Sequence, residues 1–188
     1  MNVIYNPRDW FWIVAGDASR VFSSAAGNFV ALDDPAFVAF SAKYQPTNIA
    51  SEDELLGVLA EQAPGLVVQT QKGLIAYANR RQWALAVGGY RATIGGVQVD
   101  FATDPTSLGL ISGKVSRLQQ PNAPESLNWQ TGPASFVTIA AADFIAVASN
   151  IADFVQSTFD ALNAVLIKIA AGQITTAAQV DAALVVAN

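Results

Sequence analysis

Asp100 and Asp104, in "DFATD", are the nearest thing in this 188-residue sequence to a pair of side chains placed for chemistry, since two carboxylates flanking a hairpin end could chelate a cation together. Asp104 has a competing use. It precedes Pro105 in "TDPTS", the pattern of a helix N-cap with proline at the first helical position. The acidic runs "DD" (33–34) and "SEDE" (51–54) also sit where helix N-termini favour negative charge, so no metal site is expected. "GLISGKV" (109–115) resembles a phosphate loop but has three residues between its glycines instead of four, and Val115 follows Lys114 where the loop needs Ser or Thr. Nucleotide binding is not expected. Arg80, Arg81 and Arg91, with Trp83 and Tyr90, could stack on a sugar or base, although a solvated helix face is the simpler reading.

The composition removes most other chemistry. There is no histidine and no cysteine, which excludes disulfides, thiolate nucleophiles, Cys/His zinc sites and every Ser-His-Asp arrangement. An enzyme would have to work through carboxylates, Lys, Tyr or a carboxylate-bound metal, and none is expected. A net charge of -5 argues against general nucleic-acid binding. Only 13% of residues are charged, against roughly 25% in an ordinary soluble domain, while 52% are hydrophobic. Covering such a surface costs little desolvation, so the chain reads as one that packs against other subunits. "MNVIYNPRDW" lacks the basic and apolar regions of a signal peptide, and "FVTIAAADFIAVASNIADFV" is interrupted by Asp143 and Asp153. The expectation is a protein made in the cytoplasm, not inserted in a membrane, that stays soluble until it assembles.

These residues must be positioned by an α+β fold: a small N-terminal β-meander with short helices, then a domain of helices and β-hairpins with one long helix. "WFWIVA", "RVFSS" and "FVAL" read as three strands separated by "GD" and "AAGN". In "DWFWIV" Trp10 and Trp12 share one face while Phe11 and Ile13 share the other, so both faces need cover; the tryptophans suit core packing better than a carbohydrate platform. Asp33 or Asp34 can cap "PAFVAFSAKY", and Ser51 with Glu54 forms a capping box for "SEDELLGVLAEQ". "APG" (63–65) marks the expected boundary between residues 1–63, a docking domain, and 64–188. A third helix is expected over Leu66 to Val87, a hairpin about Gly95-Gly96, a helix from Pro105, and a second hairpin turning at "TGPA". A helix from Ala140 to about Ala171 is closed by Gly172, and Thr176 with Gln179 can cap a final one.

In the long helix, Phe144, Ala148, Ile151, Val155, Phe159, Leu162, Leu166 and Ile169 form one apolar seam with a single phase slip. Ile145, Val147, Phe154, Val165 and Ile167 lie off it. A helix apolar on more than one face needs partners on more than one side, either as the centre of a globular fold or in an intersubunit bundle.

The region from about Arg81 to the C-terminus resembles an uncharacterised domain of tailed-bacteriophage and prophage tail proteins, often encoded among tail-fibre and fibre-assembly genes. The likeness is carried by "YRATIGGVQV", "TDPTSLGLISG", "NWQTGPASFVTI" and "AADFIAVASNIADFVQSTFDAL", most sharply by Thr103, Asp104, Ser107, Ile111 and Gly113. "DWFWIVAGDASRVFSSAAGNFV" with "NIASEDELLGVL" is similar to the N-terminal segment that accompanies this domain in short phage tail genes. Pro105 and Thr106 depart from the charged residues usual there, and the "TGPAS" turn looks longer. The resemblance implies no catalytic residue, cofactor or reaction. It implies a virion protein of the phage tail, in the fibre or baseplate, contacting other tail subunits and itself an oligomer, with a trimer among the states it allows. A tail-fibre assembly chaperone is the alternative, and a module binding host-surface glycan comes third. The residues expected at assembly contacts are Trp10, Trp12, Phe144, Ile151, Val155, Phe159, Leu162 and Leu166.

Overall fold

The computed structural model describes residues 5–186. It is α+β, and the chain divides into two compact units, Met1–Ala78 with Leu166–Asp181, and Asn79–Val165 with Ala182–Asn188. The "APG" segment, expected to part the two domains, falls inside the first unit.

In that unit β1 (Phe11–Val14), β2 (Arg20–Ser23) and β3 (Asn28–Ala31) form the expected antiparallel meander. A short strand that the sequence did not announce, β4 (Thr47–Ile49), pairs parallel to β1, giving the order β3-β2-β1-β4. The tryptophan strand is therefore interior, and its alternation buries both faces. Trp10, Trp12 and Val14 enter a core with Phe22, Ile49, Leu55 and Leu59. Each indole N–H finds a hydroxyl, Trp10 donating to Thr47 Oγ1 and Trp12 to Ser24 Oγ, both at 2.9 Å, which removes the cost of burying those donors. On the other side Phe11 meets Phe37 and Phe40, with ring centroids 5.2 and 4.9 Å apart. Those rings come from α1 (Pro35–Ser41), whose cap is Asp34, accepting from the N–H groups of Ala36 and Phe37.

Helix α2 (Glu52–Gln62) starts with the expected box moved by one residue: Ser51 Oγ accepts from Glu54 N–H, while the Glu54 carboxylate accepts from Ala50 N–H. Helix α3 spans Gln71–Ala86, five residues shorter at its start than its composition suggests. Tertiary packing takes the missing turn. Val68 is drawn into the core, Gln69 N–H donates to Gly27 O at 2.6 Å, and Thr70 Oγ1 accepts from Gly73 N–H, so the helix begins only after that strip. Gly73 sits so close to the strip that an added Cβ would lie 2.2 Å from Val68 O.

In the second unit β5 (Tyr90–Ile94) and β6 (Val97–Phe101) are joined by Gly95 and Gly96, both at positive φ (56° and 82°) as a tight two-residue hairpin turn demands. Asp104 caps α4 (Pro105–Leu118), and β7 (Ser126–Gly132) pairs with β8 (Ser135–Ala140), with an irregularity between Gln130 and Gly132. Inner residues of both hairpins, Val99, Phe101 and Ile139, pack with Ile111 of α4 and with Phe144 and Ile151 of α5 (Ala141–Ala170). Trp129 bridges Phe101 and Phe144 at 5.2 and 5.3 Å between ring centroids. Gly172 closes α5: its N–H donates to Ile169 O while Gln173 N–H donates to Lys168 O, the paired bonds of a Schellman ending. A last helix, α6 (Ala177–Ala183), is capped by Thr176 and Gln179.

The buried stripe of α5 differs in phase from the expected seam. Phe144, Val147, Ile151, Phe154, Thr158, Leu162, Val165 and Ile169 are buried, whereas Phe159 is 48% exposed and Ala148, Val155 and Leu166 are only partly covered. The physical reason is Thr158. Reading apolar residues alone skips this hydroxyl and moves the seam onto Phe159. Thr158 is buried because it donates to Val155 O at 2.7 Å and accepts from Gln82 Nε2 of α3 at 2.8 Å, while Gln82 is itself only 4% exposed.

Candidate functional site

The two carboxylates singled out for chemistry, Asp100 and Asp104, are engaged in holding the fold. Asp100 lies on the outward face of β6 across from Arg91, and the two form a bidentate pair at 2.5 and 3.0 Å. Hydrogen bonding to that guanidinium holds the Asp100 carboxyl below its ordinary range, and the carboxylate raises Arg91 in return. Asp104 accepts from the Ser107 hydroxyl and from the N–H groups of Ser107 and Thr106, and these bonds lower its pKa, the hydroxyl most. The stretch 109–115 is the body of α4, with its backbone amides inside the helix and Lys114 exposed. Among the described residues no three His, Cys, Asp or Glu side chains are grouped to hold a metal ion, and no helix is long and apolar enough to cross a membrane.

Of the basic and aromatic group, Trp83 is 54% exposed on α3, and Tyr90 is turned against Phe154 with 5.6 Å between ring centroids. Arg91 points to Asp100.

The eight residues expected at contacts separate by burial. Trp10, Trp12, Phe144, Ile151 and Leu162 are enclosed by the chain itself, while Val155 and Leu166 are partly covered and Phe159 stands out. Three of the eight come together in the second unit, where α4 and α5 leave between them a groove of about 570 Å³. Ile111 and Ile151 form its floor. Leu108 and Val115 of α4 face Ile145, Val155 and Phe159 of α5 as walls, and Ser112, Ser116, Ser149 and Gln156 supply a neutral polar rim. No Asp, Glu, Lys or Arg lines the groove. Such a lining can hold an apolar segment by area and shape, and it offers no acid, base or nucleophile beyond three serine hydroxyls without a base. The signal for its α5 wall was in the sequence, since Ala148, Ile151, Val155 and Phe159 belong to the expected seam and Ile145 alone of the off-seam residues joins them, but which helix would flank that face was not written there.

Other apolar side chains lie open in the same unit, Leu110 at 62% and Phe136 at 64% exposure. Scattered singly, such residues are ordinary; the groove differs in being concave and continuous.

An α+β unit of two hairpins packed with a long helix thus carries the α4–α5 groove as a continuous apolar concavity. Residues 69–184 match the family model of a domain of unknown function, DUF4376, and the chain belongs to that family. The match begins in the strip before α3 and takes in both hairpins and every helix from α3 to α6. No curated protein and no solved structure matches the chain.

Proposed function

We propose that the chain is a structural component of a bacteriophage tail, in the fibre or baseplate, acting through protein–protein contacts without catalysis. The observation that carries this reading is the groove between α4 and α5, apolar within and free of charge at its rim. Its occupant is an uncharged, apolar segment of a neighbouring tail subunit: a charged segment would lose its hydration there and gain no counter-charge. The low overall charge and the likeness of "YRATIGGVQV" and "TDPTSLGLISG" to phage tail sequences support the same role.

The test is quantitative mass spectrometry of gradient-purified particles, comparing this chain with the major tail protein. A fixed copy number is expected, and Phe159→Glu, placed on an exposed wall of the groove, is expected to keep the fold and lose incorporation. Absence from particles with abundance in the lysate would overturn the virion role in favour of an assembly chaperone.

A further inference from the structure

We infer that the first unit carries a second site, a polar cleft of about 460 Å³ that takes one sugar ring as its ligand. The inference stands independently of the tail assignment. Seven polar side chains line the cleft: Arg20, Asn28, Glu52, Gln69, Thr70, Gln71 and Thr175. Its apolar floor includes the buried Leu74 and Ile174. The volume lies within the ~300–1,000 Å³ of small-molecule sites.

The two charged groups are each held in place by a partner other than one another. Arg20 Nε donates to Asp17 at 2.9 Å, and its guanidinium lies 4.1 Å over the Phe29 ring. Glu52 accepts from the Thr70 hydroxyl, whose oxygen accepts in turn from Gly73 N–H at the start of α3. Among the described residues Arg20 and Glu52 do not pair with each other, and the side-chain amides of Gln69 and Gln71 make no hydrogen bond. A fixed guanidinium, a fixed carboxylate and free primary amides together offer paired donors and paired acceptors, the pattern that adjacent hydroxyl groups satisfy. The charges also select against anions. An anion would face Glu52, and Arg20, whose own charge Asp17 already balances, would not offset that repulsion. A neutral polyol meets no such penalty.

The full chain, labelled with nitrogen-15, is titrated with D-glucose, D-galactose and N-acetyl-D-glucosamine to tens of millimolar while backbone amide shifts are followed. At least one sugar is expected to give saturable shifts at Asn28, Gln69, Gln71 and Thr175, weakened tenfold or more in Glu52→Gln and in Gln71→Ala. Gln71 is exposed in the first turn of α3, so its variant keeps the fold and the test remains decisive should Glu52→Gln unfold. The methyl glycoside of the sugar that binds separates two sources of the ligand: binding of both forms identifies a unit within a glycan, and binding of the reducing sugar alone identifies a free monosaccharide. No saturable shift with any of the three, shifts undiminished in the folded variants, or shifts of these amides by L-alanine alone would overturn the inference.

Discussion

Thr158→Val is expected to destabilise the second unit far more than Gln82→Leu, although the two residues share one hydrogen bond. The asymmetry follows from what each change leaves behind. Thr158 is fully buried and Gln82 nearly so, with 2.8 Å between the hydroxyl oxygen and the amide nitrogen. Valine preserves the volume and branching of threonine but strands the Gln82 amide without its acceptor, at about 1–3 kcal/mol. Leucine at 82 leaves the Thr158 hydroxyl still bonded to Val155 O, so the change is a volume-conserving swap costing under about 1.5 kcal/mol. The double variant removes donor and acceptor together and should fall within about 1 kcal/mol of the native chain. Urea unfolding reads the cycle directly: with a slope of about 1–3 kcal/mol/M, a 2 kcal/mol loss moves the midpoint by roughly 1 M. Equal costs for the two single variants, or a double variant as unstable as their sum, would refute the claim that this pair sets the buried phase of α5.

Gly73→Ala is expected to cost about 2–4 kcal/mol by thermal melting, because the new Cβ would lie 2.2 Å from a backbone oxygen that cannot yield without displacing Val68 from the core. Phe154→Ala should cost about 3–5 kcal/mol while Phe159→Ala, at a half-exposed site, stays within about 1 kcal/mol; a reversed order in denaturation would restore the seam read from apolar spacing. The Asp17 carboxyl, bonded first by the Ser19 hydroxyl and then by Ser19 N–H and Arg20, is held down from 3.8 to about 2. Its folded pKa lies below its unfolded one, so the stability it contributes is present above about pH 4 and lost as pH falls towards 2; Asp17→Asn should flatten that part of a stability–pH profile measured by urea unfolding.

Local signals made much of the fold legible. The alternation of "DWFWIV", the Gly95-Gly96 turn, the Asp104 cap and the Gly172 ending all act within a few residues, and the structure has each of them where the sequence puts it, while of the two caps offered for α1 it uses Asp34. What escaped depends on distant partners. Strand β4 has three residues, and only the free edge of β1 makes it a strand. The start of α3 is set by Val68 and Gln69 finding places in the sheet unit, against a helical composition. The phase of α5 turns on a threonine that becomes a core residue only when Gln82 faces it. The groove was half legible for the same reason: the apolar seam of α5 that lines it is local, and the helix beside it is not.

The absence of charge around the α4–α5 groove has a consequence for conditions. An association seated there has no ion pairs to screen, so its strength should hardly change between dilute buffer and high salt, where contacts built on Lys and Asp would weaken. It should instead respond to temperature. Burial of apolar surface is driven near room temperature by the entropy of water and fades on cooling, so a complex made through this face should loosen in the cold and tighten again on warming.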